Sequence, residues 1–100
     1  MQTYTAQQII DDINAYMRSV GGLNRDWYAG IASNAETRLF NDHAVSRAGG
    51  NWIWRRATSS AVARDVEKAY LDAGCDGGGG GGDYGTDCVY VYRKTSTTSP

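Results

Sequence analysis

The hydrophobic and polar positions alternate between two periods along this chain. In "TAQQIIDDINAYMRSVGG", Ile9, Ile10, Ile13, Tyr16, Met17 and Val20 recur at helical spacing and predict one apolar face. Thr5 followed by Gln8 has the form of a capping box at its start, and Gly21 and Gly22 suit its end. "RDWYAGIA" is short, aromatic and branched, which predicts a strand. "SNAETRLFNDHA" opens on Ser33 with Glu36 three positions on, a second capping box and therefore a short helix. "GGNWIWRRAT" predicts a strand with Trp52 and Trp54 on one face and Ile53 and Arg55 on the other. "SSAVARDVEKAYLDAG" predicts a third helix, capped by Ser59 or Ser60 and stopped at Gly74. Its stripe is Val62, Val66, Ala69, Tyr70 and Ala73. A glycine-rich loop precedes a last strand, "CVYVYRK", and "TSTTSP" reads as a frayed polar tail. The order predicts an α+β fold, a small three-stranded antiparallel or mixed sheet flanked by three helices. One domain over residues 1–95, with a tail over 96–100, accounts for the chain.

At 100 residues, 41% hydrophobic and 21% charged, the composition is that of a folded domain rather than a disordered one. No apolar run approaches the roughly 20 residues of a membrane span. The start "MQTYTAQQ" has neither a basic cluster nor an apolar block, so the expectation is no membrane and a cytoplasmic location. In a reducing compartment Cys75 and Cys88 are expected as thiols.

The net charge of -1 is no footprint of a strong general DNA binder. Its distribution says more. Residues 38–64 hold Arg38, Arg47, Arg55, Arg56 and Arg64 against Asp42 alone, whereas both flanks are net acidic. This basic island is either a solvated surface or a patch facing phosphate, with Arg47, Arg55 and Arg56 as the nucleic-acid contacts.

The stretch from Trp27 to His43 carries the candidate chemistry. Tyr28-Ala29-Gly30 is followed by Arg38 ten residues after the Tyr, and then by His43, the single histidine of the chain. "ARDVEKAYL" adds Glu67 on the third helix. In this order the elements resemble the GIY-YIG nuclease family over about residues 27–74. In that family a strand with Tyr-Ile-Gly leads to a helix bearing an Arg, a His or Tyr follows, and a Glu on a later helix holds a metal. The resemblance implies that Glu67 holds one Mg²⁺ or Mn²⁺, an oxygen-seeking ion that keeps most of its waters. It implies that Arg38 clamps the scissile phosphate with its planar fork and that Tyr28 positions or deprotonates the attacking water. Gly30 would let the strand turn tightly into the helix.

The pattern departs from the family in four places. No Gly-Ile-Tyr strand precedes Tyr28. If "CVYVY" pairs antiparallel with "DWYAGIA", Tyr90 or Tyr92 would take the missing position, a circular permutation that brings a phenol oxygen close to Tyr28 and Arg38. The residue four after Arg38 is Asp42, and His43 stands one further on, rotated by about 100° on an α-helix. Either the helix ends early and His43 swings back, or His43 is not catalytic. The family's basic residue three after the Tyr is Ile31 here, and its late Asn has no counterpart.

Each residue also has a structural reading. Arg38 and Asp42 can pair along a helix. Tyr28 can be a sheet tyrosine at a rim. Trp52 and Trp54 read as core in preference to a base-stacking platform. Gly77 to Gly82 lack the Lys and Ser or Thr of a nucleotide-triphosphate loop and are flanked by Asp76 and Asp83, so they are expected to be a flap or a bend. Asp76, Asp83 and Asp87 are further acids close to this region.

Three functions therefore compete. One is metal-dependent phosphodiester hydrolysis, acting on DNA or another phosphodiester. Another is a non-catalytic relative binding nucleic acid or a small nucleotide. The third is a small inhibitor or interaction protein. The chain carries no separate DNA-targeting domain in these residues, which makes a homodimer one route to a working nuclease.

Overall fold

The computed structural model describes residues 2–78 and 85–100. It is α+β, with a three-stranded antiparallel sheet between two layers. Helix α1 (Ala6–Val20) begins at the expected capping box. Thr5 Oγ1 accepts the Gln8 N–H at 3.2 Å, and Gln8 Oε1 accepts the Thr5 N–H at 2.9 Å. Its apolar face buries Ile9 and Ile13 completely. A short 3-10 turn, Asn24–Asp26, delivers the chain into β1 (Trp27–Ala32). Strand β2 (Trp52–Arg56), helix α2 (Ser60–Asp72) and strand β3 (Cys88–Arg93) follow.

β3 lies at the centre of the sheet, antiparallel to both neighbours, although it comes last in sequence. Its alternation is therefore buried on both faces. Val89 and Val91 join Trp27, Ala29, Ile9, Ile13, Ala63, Val66 and Tyr70 in the core beneath α1 and α2. Tyr90 and Tyr92 point to the other face, with Tyr28, Ala32, Leu39 and Val45. Register explains the grouping, since Tyr28 stands opposite Tyr92, and Trp52 and Trp54 stand opposite Tyr92 and Tyr90. The two tryptophans share a face as expected. They are half-buried at the edge of the tyrosine cluster rather than in the main core.

Both sheet edges are partly covered, which shortens the exposed ladder that invites aggregation. Asp76 bridges the outer edge of β1, its N–H donating to Trp27 O and its carbonyl accepting from Ala29 N–H, each at 2.8 Å. At β2, the Tyr4 N–H donates to Arg56 O, and the Tyr16 hydroxyl accepts the Trp52 N–H.

Four local expectations are corrected. The stripe of α2 is Ser60, Ala63, Val66, Glu67 and Tyr70, whereas Ala69 and Ala73 are exposed. The helix docks on the sheet and on α1 at once, so its buried face is rotated from the one that apolarity alone selects, and it includes a carboxylate. The segment after β1 is capped by Asn34, not Ser33, with Asn34 Oδ1 accepting the Thr37 N–H at 3.1 Å. From Thr37 to Asp42 it is a π-helix, closed by the His43 N–H donating to Arg38 O at 2.9 Å. The tail does not fray. Thr95 and Thr98 close a turn, and the Ser99 N–H donates to His43 O at 2.7 Å.

Two residues past the π-helical segment stands Ala44, a non-glycine residue at φ 56°. An alanine there costs roughly 1–2 kcal/mol against the right-handed region. Ala44→Gly is expected to stabilise the fold by about 0.5–1 kcal/mol after the extra freedom of the unfolded chain is counted. Urea unfolding checks this: a midpoint moved to lower urea would mean that the left-handed turn is not formed.

Candidate functional site

Of the residues singled out from sequence, Tyr28, Arg38, His43, Tyr90 and Tyr92 meet on the face of the sheet opposite α1 and α2. β1 supplies Tyr28, the π-helical segment and its end supply Arg38 and His43, and β3 supplies Tyr90 and Tyr92. Tyr28 and Tyr92 stack with ring centroids 5.2 Å apart, and Tyr28 lies 4.6 Å from the His43 ring. β3 pairs antiparallel with β1, and the Tyr90 phenol lies beside both Arg38 and His43.

The π-turn explains how His43 gets there. On an α-helix a residue five positions after Arg38 faces away from it. The i→i+5 bond from His43 N–H to Arg38 O absorbs one extra residue, so His43 returns to the side of Arg38. Both side chains then converge on Tyr90. Its hydroxyl lies 2.8 Å from His43 Nε2, and the Arg38 guanidinium, paired with Asp42 at 3.2 Å, is near enough to interact with it electrostatically.

Gly30 makes the space for that phenol. It stands directly opposite Tyr90 in the ladder, and a Cβ there would lie 2.4 Å from Tyr90 Oη and 2.5 Å from Cζ. The glycine is therefore required for close approach within the strand and not, as the motif suggested, for a turn into the helix.

Partners set the hydrogen-bond sense at His43. Nδ1 lies 2.7 Å from Ser99 O, which can only accept, so Nδ1 carries the proton. In the neutral ring Nε2 is then an acceptor and receives the Tyr90 hydroxyl proton. The Tyr92 hydroxyl sits 3.1 Å from Nδ1 on the same side. Sequence reasoning missed Ser99, because a backbone carbonyl has no residue-type signature.

The cluster is largely buried, with Tyr28 8%, His43 4%, Tyr90 1% and Tyr92 0% exposed. Arg38 is half-exposed and opens onto a cleft of about 340 Å³ lined by Ile31, Ala32, Ser33, Asn34, Thr37 and Thr86. Burial pushes the Tyr90 phenol up while Arg38 pulls it down, and Tyr90 in turn raises the Arg38 guanidinium. Burial also drives the Tyr92 phenol well above the ordinary tyrosine range.

Glu67 is not part of this cluster: it is 7% exposed on α2, which packs on the other face of the sheet. Burial raises its carboxyl above the ordinary value, opposed by Arg64. No hydrogen bond or ion pair among the described residues engages this carboxylate. Among the described residues there is also no group of three His, Cys, Asp or Glu side chains able to share a metal. Asp76 and Asp87 are held by Lys94 and Arg56, and Asp83 with Gly79 to Gly82 lies outside the described residues.

Folding divides the basic island. Arg47 pairs with Glu36 at 2.8 Å and lies over Phe40, Arg55 pairs with Asp12 at 3.1 Å, and Arg56 pairs with Asp87 at 2.8 Å. Arg55 and Arg56 line a groove beside β2, away from Arg38 and its cleft. Cys75 and Cys88 are free, buried thiols, both raised by burial and so poor nucleophiles. No helix of the described residues is long and apolar enough to cross a membrane. The chain matches no protein-family model, no curated protein and no solved structure.

Proposed function

We propose that this chain hydrolyses phosphodiester bonds with the help of a divalent cation, as a circularly permuted GIY-YIG-like nuclease. The observation that carries the reading is the convergence of Arg38 and His43 on the Tyr90 phenol over Gly30. A buried hydroxyl bonded to a neutral imidazole, itself oriented by a third group, is the arrangement of an activated proton acceptor. Arg38, at the mouth of the cleft, would take the scissile phosphate and offset charge that builds on its oxygens. Tyr90 would receive a proton from the attacking water as its own passes to His43 Nε2. Tyr28, stacked on the same cluster, would hold the two phenols in register.

Glu67 would hold Mg²⁺ or Mn²⁺. A single hard-oxygen carboxylate, without a hydrogen-bond partner among the described residues, suits an ion that retains most of its waters. When bound, that ion supplies charge neutralisation and a more acidic water. Supercoiled plasmid with Mg²⁺ or Mn²⁺ tests the reading. Relaxed product from the wild type, absent with Glu67→Ala and with chelator, is the expected result. No product at high enzyme excess overturns DNA cleavage.

The internal ion pairs of Arg47, Arg55 and Arg56 favour a second reading, binding of a small nucleotide without cleavage, because these three cations of the basic island are neutralised by acids of the chain rather than left to follow a long phosphate backbone. A ligand-induced rise in melting temperature without turnover would select it.

A further inference from the structure

We propose that the segment Thr95 to Ser99 is a latch that fixes the tautomer of His43, with the Ser99 backbone carbonyl as a positioning group for the Tyr90–His43 pair. Its catalytic consequence rests on the phosphodiesterase reading, but the latch itself does not.

Ser99 grips one residue at two points. Its N–H donates to His43 O at 2.7 Å, and its carbonyl accepts from His43 Nδ1 at 2.7 Å. The approach is built rather than incidental. The Lys94 N–H donates to Asp26 O at 2.8 Å, anchoring the segment where it leaves β3. The Thr98 hydroxyl then closes the turn, accepting the Thr95 N–H at 2.9 Å and donating to Thr95 O at 3.0 Å.

The chemistry around the imidazole gives this grip its meaning. Two of its neighbours, the hydroxyls of Tyr90 and Tyr92, can each donate or accept. They would satisfy either tautomer. Among the described residues, the Ser99 carbonyl is the one hydrogen-bond partner of the ring nitrogens with a fixed sense, because it can only accept. It holds the proton on Nδ1 and leaves Nε2 free to take the proton of Tyr90. With the latch open, the Nε2–H tautomer becomes available. In that form Nε2 donates to Tyr90 Oη, and the phenol proton loses its acceptor. The logic is that of a base oriented through its second nitrogen, with a carbonyl in the orienting position.

The single histidine of the chain makes the test direct, since one imidazole gives one set of nitrogen resonances. Long-range proton–nitrogen spectra of the ¹⁵N-labelled 100-residue chain are expected to show the Nδ1–H tautomer in the wild type and in Tyr90→Phe. Two variants open the latch. Ser99→Pro removes the N–H that reaches His43 O, and Thr98→Val removes the hydroxyl that closes the turn while leaving sheet and ring untouched. Both are expected to shift the ring toward a mixture of tautomers. An Nε2–H wild type, or an unchanged Nδ1–H ring in both variants, overturns the latch. So does a tautomer that changes in Tyr90→Phe, for then the phenol sets it. In phosphodiester cleavage, opened variants are expected to lose about 10–100-fold in kcat with KM unchanged, by analogy with the range for partners that orient a metal-ligating imidazole. A KM effect alone would assign the tail to substrate contact and overturn its positioning role. If the tautomer responds to the latch variants while the wild type cuts nothing, the nuclease reading fails and the latch stands.

Discussion

Gly30→Ala is expected to remove activity by about a hundredfold and to destabilise the protein by about 1–3 kcal/mol. The added methyl would overlap Tyr90 Oη and Cζ. That ring is itself 1% exposed in the central strand, so it has no open space to move into. The displacement would break the contact with His43 Nε2 and withdraw the phenol from Arg38. A double-mutant cycle separates this from a general strand effect. Alanine at position 30 should cost much less in a Tyr90→Ala background, because the clash has one partner. Equal costs in both backgrounds would mean that Gly30 matters for backbone freedom and not for the phenol.

Glu67→Gln is expected to abolish metal-dependent cleavage and yet stabilise the fold at neutral pH, by no more than about 1 kcal/mol, because burial disfavours the charged carboxylate. The sign follows from burial. The folded carboxyl sits above its ordinary value, so between the two values the folded chain keeps a proton that the unfolded chain has lost. Unfolding then releases a proton, and stability falls as pH rises through that window and stays low above it. Below the ordinary carboxylate range both states are protonated and the penalty vanishes. The variant lacks this slope. Urea midpoints at acid and neutral pH should converge at acid pH and separate at neutral pH, with Glu67→Gln the higher. Mg²⁺ should raise the wild-type midpoint and leave that of Glu67→Gln in place, because an ion bound only by the folded state stabilises it by mass action. Parallel curves at all pH values would mean that Glu67 is solvated in the fold.

Period and capping chemistry reach the helices and strands themselves. Ile9 and Ile13 lie on the buried face of α1, Thr5 and Gln8 form its cap, and Trp52 and Trp54 share a face of β2. These features depend on residues within four positions of one another, which a linear pattern records. The same pattern misjudges α2, where Glu67 is buried and Ala69 exposed, because which side of a helix faces the core is decided by what it packs against. It also misjudges the turn register at Arg38. A one-residue excess between Arg38 and His43 looks like a broken motif until a π-turn absorbs it, and that turn is held by the close of the segment onto Leu39 and by the cluster beneath.

The residue types around the site were legible in the chain: a Tyr-x-Gly, an Arg, one His, a Glu and a tyrosine-bearing strand. Their assembly was not. Tyr90 lies 47 positions from His43, and Ser99 lies 56 from it, so these contacts exist only because β3 inserts between β1 and β2 and carries the tail back across the sheet. The charge of the basic island shows the opposite case. Five arginines stand together in the sequence, yet Asp12, Glu36 and Asp87, brought from distant segments, pair with three of them. Local order sets which side chains and elements are available, because helix and strand periods are short-range. Strand order sets which of those side chains meet, because hydrogen-bonded register acts between segments that no local period connects.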